Sequence, residues 1–217
     1  MKKILSVLFI LFFTASCCRK ETNQRIEITQ RYEDGKKKIL CKYAGKGELE
    51  TLIERVTYDK NGQIVKMENP VEQTAKMMWR HKNGMKKRET QYKGGKKHGK
   101  WREWYSNGRI KQERVYCRDK LVRRADYKRH ITDESIYKDG KLFMAREYNE
   151  GIIVTEKTYQ EGKLIKAVWF YPDGRASDER EYKNGKKHGE WVYWDRNGEI
   201  KKKSFYREGE LIREMSR

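Results

Sequence analysis

The chain has 217 residues and carries 52 Lys+Arg against 32 Asp+Glu, a formal net charge of +20. Hydrophobic residues make up 36% and charged residues 39%, against roughly 45–50% and 25% in an average domain, which excludes a thick globular core. An aromatic share of 12% excludes a disordered chain, and two prolines exclude a proline-rich linker.

The first element is an address. Lys2 and Lys3 precede an apolar run from Ile4 to Phe13, which fits a signal-peptide core and is too short to span a bilayer. It ends in Thr14-Ala15-Ser16-Cys17. Small residues before a cysteine resemble the lipobox of bacterial lipoproteins. That resemblance implies cleavage after residue 16 and lipidation of Cys17, which becomes the new N-terminus. Thr14 departs from the usual Leu or Val, and Cys18 is a second candidate. A plain secretory signal is the other reading. The expected organisation is a signal peptide over 1–16, a lipidated tether over 17–30, an irregular N-terminal cap over 31–55 and a repeat array over 56–217. The expected location is the cell envelope, in the outer membrane or at the cell surface if the organism has an outer membrane.

Beyond the cap, turn signals recur at Asn61-Gly62, Asn83-Gly84, Gly94-Gly95, Asn107-Gly108, Asp139-Gly140 and onward to Glu208-Gly209. Such pairs supply the positive φ angles of tight hairpin turns. Short runs rich in Tyr, Val, Ile, Trp and Lys lie between them and read as strands. Asn69-Pro70, Arg118-Asp119-Lys120 and a site near Arg129-His130 fill the gaps, with a short helical turn over Val71 to Met78 as an alternative. The predicted fold is all-β, an elongated antiparallel meander of tandem hairpins. Cys41 and Cys117 would sit several strands apart, beyond the roughly 7 Å reach of a disulfide.

The segment Tyr182-Lys183-Asn184-Gly185-Lys186-Lys187-His188-Gly189-Glu190-Trp191 echoes Tyr92-Lys93-Gly94-Gly95-Lys96-Lys97-His98-Gly99-Lys100-Trp101. Such self-similarity marks a repeat architecture. The residues Tyr92, Gly95, Gly99, Trp101, Tyr105, Asn107 and Gly108, with Tyr182, Gly185, Gly189, Trp191, Tyr193, Asn197 and Gly198, resemble the MORN repeat in its bacterial variant form. The resemblance implies a stack of β-hairpins. Bacterial members are often described as YwqK-type antitoxin or immunity components, and eukaryotic relatives are linked to membranes and scaffolding.

Trp101, Trp104, Trp191 and Trp194 lie among lysines and arginines. Packing within the sheet accounts for most of them, while Trp104, Trp194, Lys96, Lys97, Lys186 and Lys187 form a candidate binding surface. His98 and His188 occupy equivalent loops many strands apart and are not expected to share a metal. No nucleophile–base order or carboxylate pair stands out, so neither catalysis, cofactor nor metal is expected. The partners expected are a bilayer through the acyl anchor and a protein, with an anionic polymer or phospholipid as a further candidate; nucleic acid is not expected.

Overall fold

The computed structural model describes residues 24–45 and 50–216. The signal peptide, Cys17 and Cys18 lie outside the described residues. Those described form one open sheet of 18 strands. It begins with β1 (Gln24–Arg31), β2 (Lys37–Ala44), β3 (Thr51–Tyr58), β4 (Ile64–Asn69), β5 (Thr74–Arg80) and β6 (Lys86–Lys93). Next come β7 (Lys96–Lys97), β8 (Gly99–Trp104), β9 (Ile110–Cys117), β10 (Lys120–Tyr127), β11 (Ile131–Lys138) and β12 (Lys141–Asn149). The last six are β13 (Ile152–Gln160), β14 (Lys163–Phe170), β15 (Ala176–Lys183), β16 (Lys186–Trp194), β17 (Ile200–Arg207) and β18 (Glu210–Ser216).

Each strand pairs antiparallel with the next, and β7 and β8 together form the partner of β6. The same order continues to the C-terminus. Substantive tertiary contacts join only sheet neighbours. The described residues therefore form a sheet one layer thick, as the low apolar content demands. Few side chains are enclosed, and several of those are small: Thr90 and Ala125 are 0% exposed, Ala167 and Ser204 1%. Ala125 stands in register between Glu113 and Glu134, and Arg123 bridges those two carboxylates.

Turn chemistry separates the two long edges. Turns alternate between edges in any meander, and here most of each set share one type. On one edge the loops at Tyr32–Lys36, Asp59–Gln63, His81–Met85, Tyr105–Arg109, Tyr171–Arg175 and Asp195–Glu199 close with the glycine N–H bonded to a carbonyl three residues back. Only their glycine has positive φ, which is the three-residue loop of a type I turn followed by a glycine bulge. On the opposite edge, Gly94-Gly95, Arg118-Asp119, Asp139-Gly140, Glu161-Gly162, Asn184-Gly185 and Glu208-Gly209 have positive φ at both central residues, the requirement of a two-residue type I′ turn.

Three expectations need correction. Among its described residues, the segment expected as an irregular cap over 31–55 is regular sheet, holding β2 and most of β3. Asp34-Gly35 forms a turn of the same bulged kind as the later loops, with Gly35 at φ 79°. The tether expected over 17–30 ends early, since β1 starts at Gln24. The helical alternative near Val71 gives way to a turn over Pro70–Gln73, with the Gln73 N–H bonded to the Pro70 carbonyl at 3.3 Å, and to strand β5.

Candidate binding surfaces

Directly opposed residues share a face, so the register defines two faces. The front carries two equivalent aromatic boxes. In the first, Trp101 on β8 lies between Tyr92 and Tyr116, with ring centroids 5.2 Å away in each case. In the second, Trp191 on β16 lies between Tyr182 at 5.5 Å and Tyr206 at 5.1 Å. Each indole N–H donates to a backbone carbonyl, Trp101 to Gln91 at 2.8 Å and Trp191 to Glu181 at 2.9 Å. The ammonium of Lys97 sits 5.0 Å from the Trp101 ring centre, and that of Lys187 4.6 Å from the Trp191 centre. Arg88 and Arg180 approach the same two indoles at 5.5 and 5.1 Å. Tilted rings and cations over ring faces are favourable arrangements. Trp101 is 8% and Trp191 6% exposed, so these indoles offer no free stacking surface and hold neighbouring strands together.

The back carries a ladder of alternating charges. Arg102 donates to Glu113 at 2.7 Å, and Glu113 accepts from Arg123 at 2.9 Å. Arg123 donates to Glu134 at 2.5 Å, Glu134 accepts from Arg146 at 3.2 Å, and Arg146 donates to Glu156 at 2.7 Å. The ladder thus crosses β8 to β13. Burial pushes the Glu134 carboxyl up, but hydrogen bonds from Arg123, Tyr148 and Arg146 outweigh it and hold the carboxyl below its ordinary value.

Beside the ladder, nearer the bulged-loop edge, runs an apolar stripe. Trp104 faces Ile110, Tyr127 faces Ile131, Tyr148 faces Ile153, Phe170 faces Ala176 and Trp194 faces Ile200. One aromatic residue per hairpin therefore lines the back of the sheet from β8 to β17. Its outer edge is open at Ile200, which is 46% exposed. Loop residues tie successive hairpins along this edge. The Tyr171 hydroxyl donates to the Trp194 carbonyl at 2.8 Å, that of Tyr32 to the Tyr58 carbonyl at 2.7 Å, and His81 Nε2 contacts the Trp104 carbonyl at 3.0 Å.

The candidate surface predicted from Trp104, Trp194, Lys96, Lys97, Lys186 and Lys187 is therefore split. The two tryptophans lie at the bulged-loop edge, while the lysines lie at the type I′ edge, a strand length of about 25 Å away. Lys97 and Lys187 belong to the aromatic boxes, whereas Lys96 and Lys186 are exposed at hairpin tips. Of the repeat-motif glycines, Gly95, Gly108, Gly185 and Gly198 occupy turns, while Gly99 and Gly189 form bulges with φ of 71° and 66°. Asn107 Oδ1 accepts from the Arg109 N–H at 3.1 Å, and the Asn197 N–H donates to Asp195 at 2.8 Å. His98 borders an open hollow of about 480 Å³, and His188 Nδ1 is enclosed without a hydrogen-bond partner among the described residues. Cys41 is buried on β2 and Cys117 exposed at the end of β9.

The comparison with known families agrees with this geometry at the two boxes. Residues 97–118 and 187–208 match the family described as MORN repeat variant. Each matched segment starts at the lysine over the indole and runs through the following hairpin. No curated protein sequence matches the chain. Among solved structures, the crystal structure of the GtfA/B complex bound to UDP and GlcNAc is 13% identical, with a TM-score of 0.32, over 42% of this chain and 21% of that one. The TcdB2-TccC3-Cdc42 crystal structure is 10% identical, with a TM-score of 0.29, over 86% of this chain and 14% of that one. The chain thus spans about a fifth or less of the length of these structures.

Proposed function

We propose that this chain is a non-catalytic repeat scaffold that binds a partner protein along the apolar stripe, held at the cell envelope by acylation of Cys17. The stripe carries the reading. A one-layer sheet gains little from aromatic residues lined up at one open edge unless that edge is covered, and large aromatic side chains dominate the buried centres of protein interfaces. The repeat supports it too, because stacked hairpins generate long surfaces. The lipobox-like cysteine supports the address, since several acyl chains on one residue give durable anchoring at about 0.8 kcal/mol per buried methylene.

The test is capture of partners from native membranes by the full chain, with mass spectrometry, comparing it with an Ile153→Lys/Ile200→Lys variant. A partner retained by the parent and lost by the variant supports the stripe; equal capture by both overturns it. Metabolic labelling with a radioactive fatty acid tests the anchor. Label that persists in a Cys17→Ser variant overturns the assignment to Cys17.

A further inference from the structure

The type I′ edge is closed by lysines. At the tips, Lys93 directly faces Lys96, Lys138 faces Lys141, and Lys183 faces Lys186. The tips between them add Lys120 opposite Cys117 and Lys163 opposite Gln160. All of these lysines are exposed. None of the three facing pairs has an ion-pair or hydrogen-bond partner for its ammonium groups among the described residues; elsewhere in the sheet lysines such as Lys76, Lys157, Lys166 and Lys203 are ion-paired. Like charges directly opposed on neighbouring strands are destabilising. The same unfavourable pair recurs three times on one edge. On the other edge, the corresponding positions hold the aromatic and isoleucine residues of the stripe.

We infer that this lysine edge is a binding track for a flexible linear polyanion whose charges are phosphates. Three features select that occupant. First, the tips lie two strands apart, about 9.6 Å, and run in a single file over roughly 38 Å from Lys93 to Lys186. Second, a sheet twists by about 20–25° per strand, so the file winds around the sheet axis. A planar bilayer can meet only a few such tips at once, whereas a flexible chain can follow all of them. Third, the closing pairs named above use lysine, a point charge suited to phosphate oxygens, and hold none of the arginine forks that fit planar carboxylates; Arg118, in the turn beyond Cys117, is the one guanidinium among these five tips. The closing pairs named above contain no aromatic residue, so the track offers no platform for bases of a nucleic acid. The track is separate from the apolar stripe and stands or falls independently of the protein-binding reading.

The probe is long-chain inorganic polyphosphate, titrated into the full chain at several salt concentrations. Binding should weaken steeply with salt. A Lys96→Glu/Lys141→Glu/Lys186→Glu variant should bind at least about tenfold more weakly, with a salt slope lower by about three. A Lys60→Glu/Lys82→Glu/Arg109→Glu variant makes the same charge change on the opposite edge and should stay within about twofold. Equal losses in both variants would mean that net charge alone acts, and would overturn the track. So would absence of polyphosphate binding, or binding only to phosphatidylglycerol vesicles, or tighter binding to a single-stranded oligonucleotide than to polyphosphate. A Lys96→Gln/Lys141→Gln/Lys186→Gln variant guards against misfolding. It removes the repulsion, so it should melt at or above the parent temperature at low salt and still bind more weakly. The Ile153→Lys/Ile200→Lys variant should bind polyphosphate at least as well as the parent.

Discussion

The carboxylate of Glu181 fills the space beside Gly189 that any Cβ at that position would take, and it accepts the Glu190 N–H at 3.1 Å. Gly189 itself has a φ of 66°. The first box repeats the arrangement with a neutral group: the Gln91 side-chain oxygen fills the space beside Gly99 and accepts the Lys100 N–H at 3.2 Å. The bulge therefore requires an acceptor at this place and does not require a charge.

Gly189→Ala should thus cost about 1–3 kcal/mol, from left-handed strain and the displaced acceptor together. Glu181→Gln should change stability by less than about 0.5 kcal/mol, because it installs the group used by the first box. Thermal melts of the two variants check this. A large loss in Glu181→Gln would show that the charge matters after all.

Arg123 links two glutamates whose side chains are each only 9% exposed. Arg123→Met leaves both with one fewer cation. Breaking a buried pair costs about 3–5 kcal/mol, and the 32% exposure of Arg123 reduces this. A loss of about 1–3 kcal/mol in urea unfolding is expected. Lys157→Met, which breaks a pair with Glu147 at 52% side-chain exposure, should change stability by less than about 1 kcal/mol.

The Glu134 carboxyl also sets a pH window. Its folded-state value lies below the ordinary glutamate value of 4.5, so the folded state favours the ionised form. The stabilisation is fully present above that ordinary value and is lost as pH falls through the lower folded value. Stability measured from pH 7 down to pH 3 should decline below about pH 5. Glu134→Gln should start less stable at pH 7 and show a shallower decline. Parallel curves for the two proteins would remove Glu134 from the acid transition.

Much of this was legible in the chain. Asn-Gly and Asp-Gly pairs force tight turns because only a few residues accept positive φ, and their spacing gave the hairpins directly. The aromatic boxes could be anticipated from the matching Tyr, Trp and Tyr positions in two copies. The regular pairing of β1, β2 and the start of β3 was not legible because that segment holds a single clear turn signal, Asp34-Gly35, and no tryptophan. The division between edges was also missed, although its signal is local. A tip that reads lysine, two turn residues, lysine closes a type I′ hairpin, while an aromatic residue shortly before a Gly-containing loop marks the other edge. Reading Trp104 with Lys96 as one surface ignored the strand length between them. The charge ladder required the register itself, because Arg123 bridges Glu113 and Glu134 across a β-bulge near Val122.

Because contacts among the described residues reach no further than the adjoining hairpin, damage should stay local. Trp191 binds β15, β16 and β17 through its two tyrosines and the Glu181 carbonyl, and the last strand, β18, is exposed along its whole length. Removing a buried indole costs about 3–5 kcal/mol, more than a few terminal strands of a thin array can absorb. Trp191→Ala should therefore raise hydrogen exchange across β15 to β18 and leave β8 to β10 protected, as a quasi-one-dimensional array requires. Trp191→Phe keeps the ring contacts and gives up the indole hydrogen bond, so it should cost about 1 kcal/mol and open the same strands far less. Trp101→Ala sits mid-array and has folded hairpins on both sides, so its exchange should rise around β6 to β9 while both flanks stay closed. Uniform exchange over all strands in either alanine variant would mean that the sheet unfolds as one cooperative body and that the hairpins are not independent units.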